Sequence, residues 1–211
     1  MNLEKNVFER TKDLNVATDV LIEKLALAAE LRDTDTGKHV LRVGKYAELL
    51  AKLYGLPDEI AFLIRKAAPL HDVGKIGIPD SILLKPGKLD DSQRELMKKH
   101  TVLGAKMLGD HPSLLIQMAK SIALSHHEKW DGTGYPNALK GESIPIEGRI
   151  TAISDVFDAL YCERPYKKAW PIKEIIDFIT KEAGGSFDPL LVDVFLNNQN
   201  EFVEIQQQHS D

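Results

Sequence analysis

His71-Asp72, followed by Gly74-Lys75, puts an imidazole and a carboxylate side by side in the chain. Both can meet at one metal ion, and the second carboxylate oxygen can bridge to another. Further on come His100, the pair His126-His127 and Asp155. Ahead of them, Asp35 and His39 are four apart at a helix start and so project from one face. Five of the seven histidines belong to this series, and the single cysteine, Cys162, offers no thiolate cluster. Nitrogen and oxygen donors without sulfur point to a hydrolytic metal centre. Each residue also has a plainer reading. An inward His100 can be a satisfied core histidine, Asp155 can be salt-bridged, and Asp35 can cap a helix. What favours the metal is the joint pattern, because separate helices each present an inward ligand type. His111 and His209 read as surface residues.

The elements that must position these residues are helical. Residues 2–32 lack proline and glycine, and Val7, Leu14, Leu21 and Ala28 recur every seven residues, a seam that could pair two copies. The plainer reading is a long helix whose second half packs on the core. A helix near Thr36 runs to Tyr54, and Pro57 opens another that ends at His71-Asp72. Residues 73–90 read as a loop. Asp90 with Gln93 forms a capping pair for a helix carrying Leu96, His100, Leu103 and Met107 on an inward face. A helix opened by Pro112 ends at His126-His127. Residues 128–148 form a second loop, and Arg149–Tyr161 a buried helix around Asp155. Pro171 and Pro189 each open a late helix, the second after an Asp188 cap. No stretch alternates as a strand, so the expected class is all-α. Only the terminal QQQHSD looks disordered.

Bulk properties narrow the function. The chain has 211 residues, 43% of them hydrophobic and 28% charged, enough for one large domain. Net charge is −5 with no long basic run, which argues against duplex nucleic acid as a partner. An anionic small substrate is still compatible if metals supply positive charge locally. No apolar run approaches ~18 residues, the start lacks a signal-peptide core, and the lone cysteine suits a reducing compartment. The expectation is a cytoplasmic protein with no membrane partner.

The motifs resemble an HD-GYP domain, a branch of the HD phosphohydrolase superfamily. The matching text is H-D-V-G-K at 71–75 and H-H-E-K-W-D-G-T-G-Y-P at 126–136, with T-G-K-H at 36–39, D-V-F-D-A-L at 155–160, R-P-Y-K at 164–167 and G-G-S-F-D-P at 184–189. The resemblance implies an HD-type helical bundle over residues 21–205, preceded by a helical linker or coiled coil at 1–20. It implies hydrolysis of cyclic di-GMP to pGpG, and on to GMP if a terminal phosphate is accommodated, by a metal-bridging hydroxide attacking phosphorus. Carried over by position, His39, His71, Asp72 and Asp155 are expected to hold one metal, and His100, His126 and His127 a second, with Asp72 bridging. Two or three divalent ions, iron or manganese, are the expected cofactors. Asp35 stands where some members carry a glutamate for a third metal. Lys75 is expected to contact the phosphate or the hydroxide, and Tyr135, Arg164 and Lys167 the substrate. Asp72 or a water could relay the leaving-group proton. The alternatives are a module that binds the nucleotide or a diguanylate cyclase without turnover, and a hydrolase of another cyclic dinucleotide. A sensor or receiver domain and a homodimer through residues 1–28 are the other expected partners.

Overall fold

The stretch free of proline and glycine forms the first helix, α1, Asn2–Glu30. The computed structural model describes residues 2–30, 32, 37–162 and 169–209. Asp35, Arg164 and Lys167 lie outside the described residues. Among the described residues ten further α-helices follow: α2 Gly37–Tyr54, α3 Asp58–Ala67, α4 Asp80–Leu83, α5 Asp91–Lys98, α6 His100–Leu108, α7 Leu114–Ser125, α8 Ile146–Tyr161, α9 Ile172–Lys181, α10 Pro189–Asn197 and α11 Gln199–Gln208. Among the described residues there is no strand, only an isolated bridge between Ala183 and Phe187. The all-α expectation holds.

Helix α2 is the central element and packs against α3, α8, α10 and α11. Its buried face carries Val43, Tyr46, Ala47 and Leu50. Tyr46 meets Phe157 of α8 edge-on at 5.1 Å, and Phe202 of α11 lies 4.8 Å from Phe195 of α10. Each such buried side chain stabilises the fold by about 1.5–3 kcal/mol. In α1, Val7, Leu14 and Leu21 are exposed while Ala26 and Ala29 are buried. Only the second half of α1 packs on the core, as the plainer reading expects.

The structure corrects the sequence reading in several places. The helix expected after Asp90 is two helices, because the ladder breaks at Lys99. Leu96 and Met107 are therefore exposed rather than inward, and His100 shares its buried face with Thr101, Gly104 and Ala105. The Asp90–Gln93 capping box is present, and Asp188 caps α10 by accepting from the Leu190 N–H at 2.9 Å. Helix α8 begins at Ile146 rather than Arg149, opened by Pro145. The segment 73–90 is not only loop: a 3-10 turn spans Val73–Gly77, and α4 sits on a small core of Ile78, Ile82 and Leu83. Gln206–Gln208 are helical, not disordered, because buried Phe202 anchors α11.

One glycine decides how the site closes. A Cβ on Gly74 would lie 1.9 Å from the His100 carbonyl oxygen and 2.4 Å from the Gly104 nitrogen. Only glycine lets the turn after His71-Asp72 press directly onto the start of α6.

Candidate metal centre

Five segments bring donors to one place. His39 lies in the first turns of α2, and His71-Asp72 in the turns after α3. His100 opens α6, His126-His127 follow the end of α7, and Asp155 is on α8. The donors fall into two sets, His39–His71–Asp155 and Asp72–His100–His126–His127, and within each the donor atoms lie within 4.8 Å of one another. Asp72 faces both sets. Its Oδ2 is 3.4 Å from His71 Nε2, while its Oδ1 is 3.2 Å from His100 Nε2 and 3.6 Å from His126 Nε2. On the other side, Asp155 Oδ1 is 3.4 Å from His39 Nε2 and 3.8 Å from His71 Nε2. Two donors bound to one ion at about 2.1 Å stand roughly 3–3.5 Å apart.

The outer nitrogens explain why the inner ones converge. His39 Nδ1 donates to Asp158 Oδ2 at 2.7 Å. His71, His100 and His126 donate through Nδ1 to the carbonyls of Ala68, Met97 and Ile122 at 2.9, 2.8 and 3.0 Å. A carbonyl or carboxylate oxygen only accepts, so each ring carries a proton on Nδ1 and turns Nε2 inward. His100 and His126 Nε2 are then 3.4 Å apart. A neutral pair in this arrangement would aim two lone pairs at each other, a conflict that a shared cation removes. His71 Nε2 and Asp72 Oδ1 are buried without a hydrogen-bond partner. Burial without a partner costs several kcal/mol unless a ligand satisfies the atom. The donor set therefore fits divalent ions.

Charge differs across the centre. Burial works against protonation of His39 and His71, but the neighbouring aspartates outweigh it. They raise His39 well above its usual range and His71 to about 9. Burial alone would raise the Asp72 carboxyl, yet Lys75 and His71 hold it well below the ordinary range. Across the centre, burial pushes His100 down to about 4 and lowers His127 as well. A field that favours a proton favours a metal cation, and a ring that stays neutral keeps its lone pair for coordination.

Other expected residues sit at the rim. Lys75 Nζ is 2.8 Å from Asp72 Oδ2. Tyr135 stacks on His127 with centroids 4.8 Å apart, and Lys98 Nζ is 5.4 Å from the Tyr135 ring centre. Asp131 caps its turn, accepting from the Thr133 N–H at 2.8 Å. Glu128 is buried, with its carboxylate on the Asn137 and Leu139 N–H groups. Trp130 is half-buried, with the Arg149 guanidinium 5.7 Å from its ring.

Three residues of the centre escaped the sequence reading. Asp158, three after Asp155, orients His39 and is itself gripped by Arg42, Nε to Oδ1 at 2.7 Å and Nη2 to Oδ2 at 3.0 Å. The D-x-x-D spacing on one helix face was a usable signal. Glu30, the last residue of α1, is buried, and its Oε1 has no hydrogen-bond partner. Burial raises its carboxyl to about 7 despite the nearby Lys75. Nothing in its local sequence marks it.

Residues 21–191 match the HD domain family. The chain belongs to that family. The HD domain here is 50% identical over 193 residues to the 3'3'-cGAMP-specific phosphodiesterase 2 of Vibrio cholerae, covering 92% of this chain and 37% of that protein. It is 41% identical to the cyclic di-GMP phosphodiesterase response regulator RpfG of Xanthomonas campestris, covering 100% of this chain and 56% of that one. The chain thus spans from about a third to just over half of the length of these two curated relatives. Among solved structures, the cyclic GMP-AMP phosphodiesterase V-cGAP3 of V. cholerae superposes with a TM-score of 0.64 at 21% identity, over 92% of this chain and 53% of that one. That likeness shows a shared HD fold. No helix among the described residues is long and apolar enough to cross a membrane.

Proposed function

We propose that this HD domain is a metal-dependent phosphodiesterase that opens cyclic di-GMP to linear pGpG. The observation that carries the reading is the position of Asp72, whose two oxygens face two separate donor sets. Bound divalent ions, with iron or manganese the proposed identity, would supply Lewis acidity that activates water near neutral pH and offsets phosphate charge. His39, His71, Asp72 and Asp155 would hold one ion, and His100, His126 and His127 with Asp72 the other. The chain's own groups do the rest. Lys75, beside Asp72, holds positive charge at the rim where a non-bridging phosphate oxygen would lie. Tyr135 offers a flat wall next to His127 for a base or ribose.

A second substrate is supported by a specific finding, the 50% identical relative named for 3'3'-cGAMP. The guanine half is common to both dinucleotides, so both belong in the test. A binding module without turnover is disfavoured by the completeness of the donor set among the described residues. The proposed setting is cytoplasmic signalling, with a sensor or receiver domain or a diguanylate cyclase as partner.

The experiment is a product assay on both dinucleotides with manganese or, anaerobically, iron supplied, beside elemental analysis of the same protein. Linear pGpG from cyclic di-GMP, faster than cGAMP is opened, is the expected result. Metal-loaded protein that opens neither would end the reading, and faster opening of cGAMP would replace the substrate.

A further inference from the structure

The loop between α7 and α8 is threaded around one buried carboxylate. The chain leaves α7 through His126, His127 and Glu128, turns at Gly132, and comes back so closely that a Cβ on Gly134 would lie 2.5 Å from the Glu128 Cα. Two rungs then join the outgoing and returning strands of the loop. The Tyr135 N–H donates to the His127 carbonyl at 3.2 Å, and the Asn137 N–H donates to Glu128 Oε1 at 2.7 Å. The Leu139 N–H adds a third bond, to Glu128 Oε2 at 3.0 Å. Ala138, between those two donors, has a positive φ of 53°. Alternating backbone handedness of this kind turns neighbouring N–H groups toward one anion. Here the anion is the chain's own glutamate, 4% exposed. Glu128 is adjacent in sequence to His127, and the segment it grips begins two residues after Tyr135. The Tyr135 ring lies on His127 with centroids 4.8 Å apart and planes at 24°.

We propose that Glu128 is a positioning residue for the substrate wall: it fixes Tyr135 over His127 without touching substrate. The proposal rests on the phosphodiesterase reading above and deepens it. Trp130 and Asp131 fasten the same loop elsewhere, to the carbonyls of Ser186 and Gly185 at 3.3 and 2.9 Å. The turn of the loop thus keeps its own tether when Glu128 changes.

The test uses the full chain loaded with manganese. Glu128→Gln keeps the size of the side chain but replaces one accepting oxygen with an NH2 group that faces an N–H donor. The kcat/KM for cyclic di-GMP is expected to fall roughly tenfold to a hundredfold, through KM, with kcat and manganese content near wild type. Glu128→Asp keeps the charge but reaches less far, and is expected to fall less. In a Tyr135→Ala background, Glu128→Gln is expected to add almost nothing, because the ring it positions is gone. Unchanged kinetics in Glu128→Gln, or a loss that adds fully to that of Tyr135→Ala, overturns the proposal. So does loss of helical circular dichroism in both Glu128 variants, which would make the carboxylate a folding element. An inactive wild type that binds manganese would instead strike the phosphodiesterase reading.

Discussion

The two halves of the centre are built from the same residue types but differ in how much charge stands behind them. On the His39–His71–Asp155 side, His71 rests on a backbone carbonyl, but the support of His39 is charged. Asp158 holds His39, Arg42 holds Asp158, and buried Glu30 lies within electrostatic reach of both histidines. On the His100–His126–His127 side, the support is neutral: backbone carbonyls hold two rings, and Tyr135 covers the third. One half is a field that attracts cations. The other is a set of imidazoles whose only carboxylate among the described residues is that of Asp72. The contrast teaches that, in the proposed two-ion centre, the His100 side would depend on Asp72 more than the His39 side does.

The largest effect should come from removing that bridge. Asp72→Ala is expected to cut turnover by at least roughly a hundredfold to a thousandfold while leaving most helicity. Elemental analysis should find one ion lost, from the His100 side, with the ion at His39–His71–Asp155 retained. Retention of both ions would break the comparison.

A smaller and one-sided effect should follow Asp158→Asn. The amide still fills the space, but it no longer offers two anionic oxygens to His39 and Arg42. Affinity at the His39 side is expected to weaken about tenfold to a hundredfold, with the His100 side unaltered in a manganese titration. Equal weakening on both sides would mean that the charged support is not local. Because the Arg42–Asp158 pair is buried, the unfolding midpoint should fall too, by an amount on the scale of about 3 kcal/mol.

The smallest effect separates the halves by protons. His71 titrates at about 9 and His39 is also raised, so both rings carry a proton near pH 7.5 that coordination must displace. His100 titrates at about 4 and His127 is lowered, so they are already neutral there. Affinity at the first half should therefore rise with pH as far as at least about 9, whereas His100 and His127 should add no such dependence above about pH 5. Calorimetry in buffers of different ionisation enthalpy reads the released protons. A first ion that releases none would refute the assignment of charge.

Much of the centre was legible because its chemistry lies in residue types. Singly each had a plainer reading, but the joint pattern and the HD-GYP motifs marked them, and His39, His71, Asp72, His100, His126, His127 and Asp155 do come together. The boundaries were less legible. The break at Lys99 moves Leu96 and Met107 to solvent, because a periodic pattern carries no mark of where a hydrogen-bond ladder is interrupted.

What the sequence determined by itself is the helical class, the caps at Asp90 and Asp188, and the identity of the donors, since these follow from local spacing and side-chain chemistry. What only the tertiary structure decided is which charges support them. Glu30, Arg42, Asp158 and Glu128 look like ordinary charged residues of helices and loops. Their roles come from partners 9 to 119 positions away, as with Asn137 for Glu128 and His39 for Asp158. Burial raises the cost of an unpaired charge, and only the folded chain determines which charges are buried and what they meet.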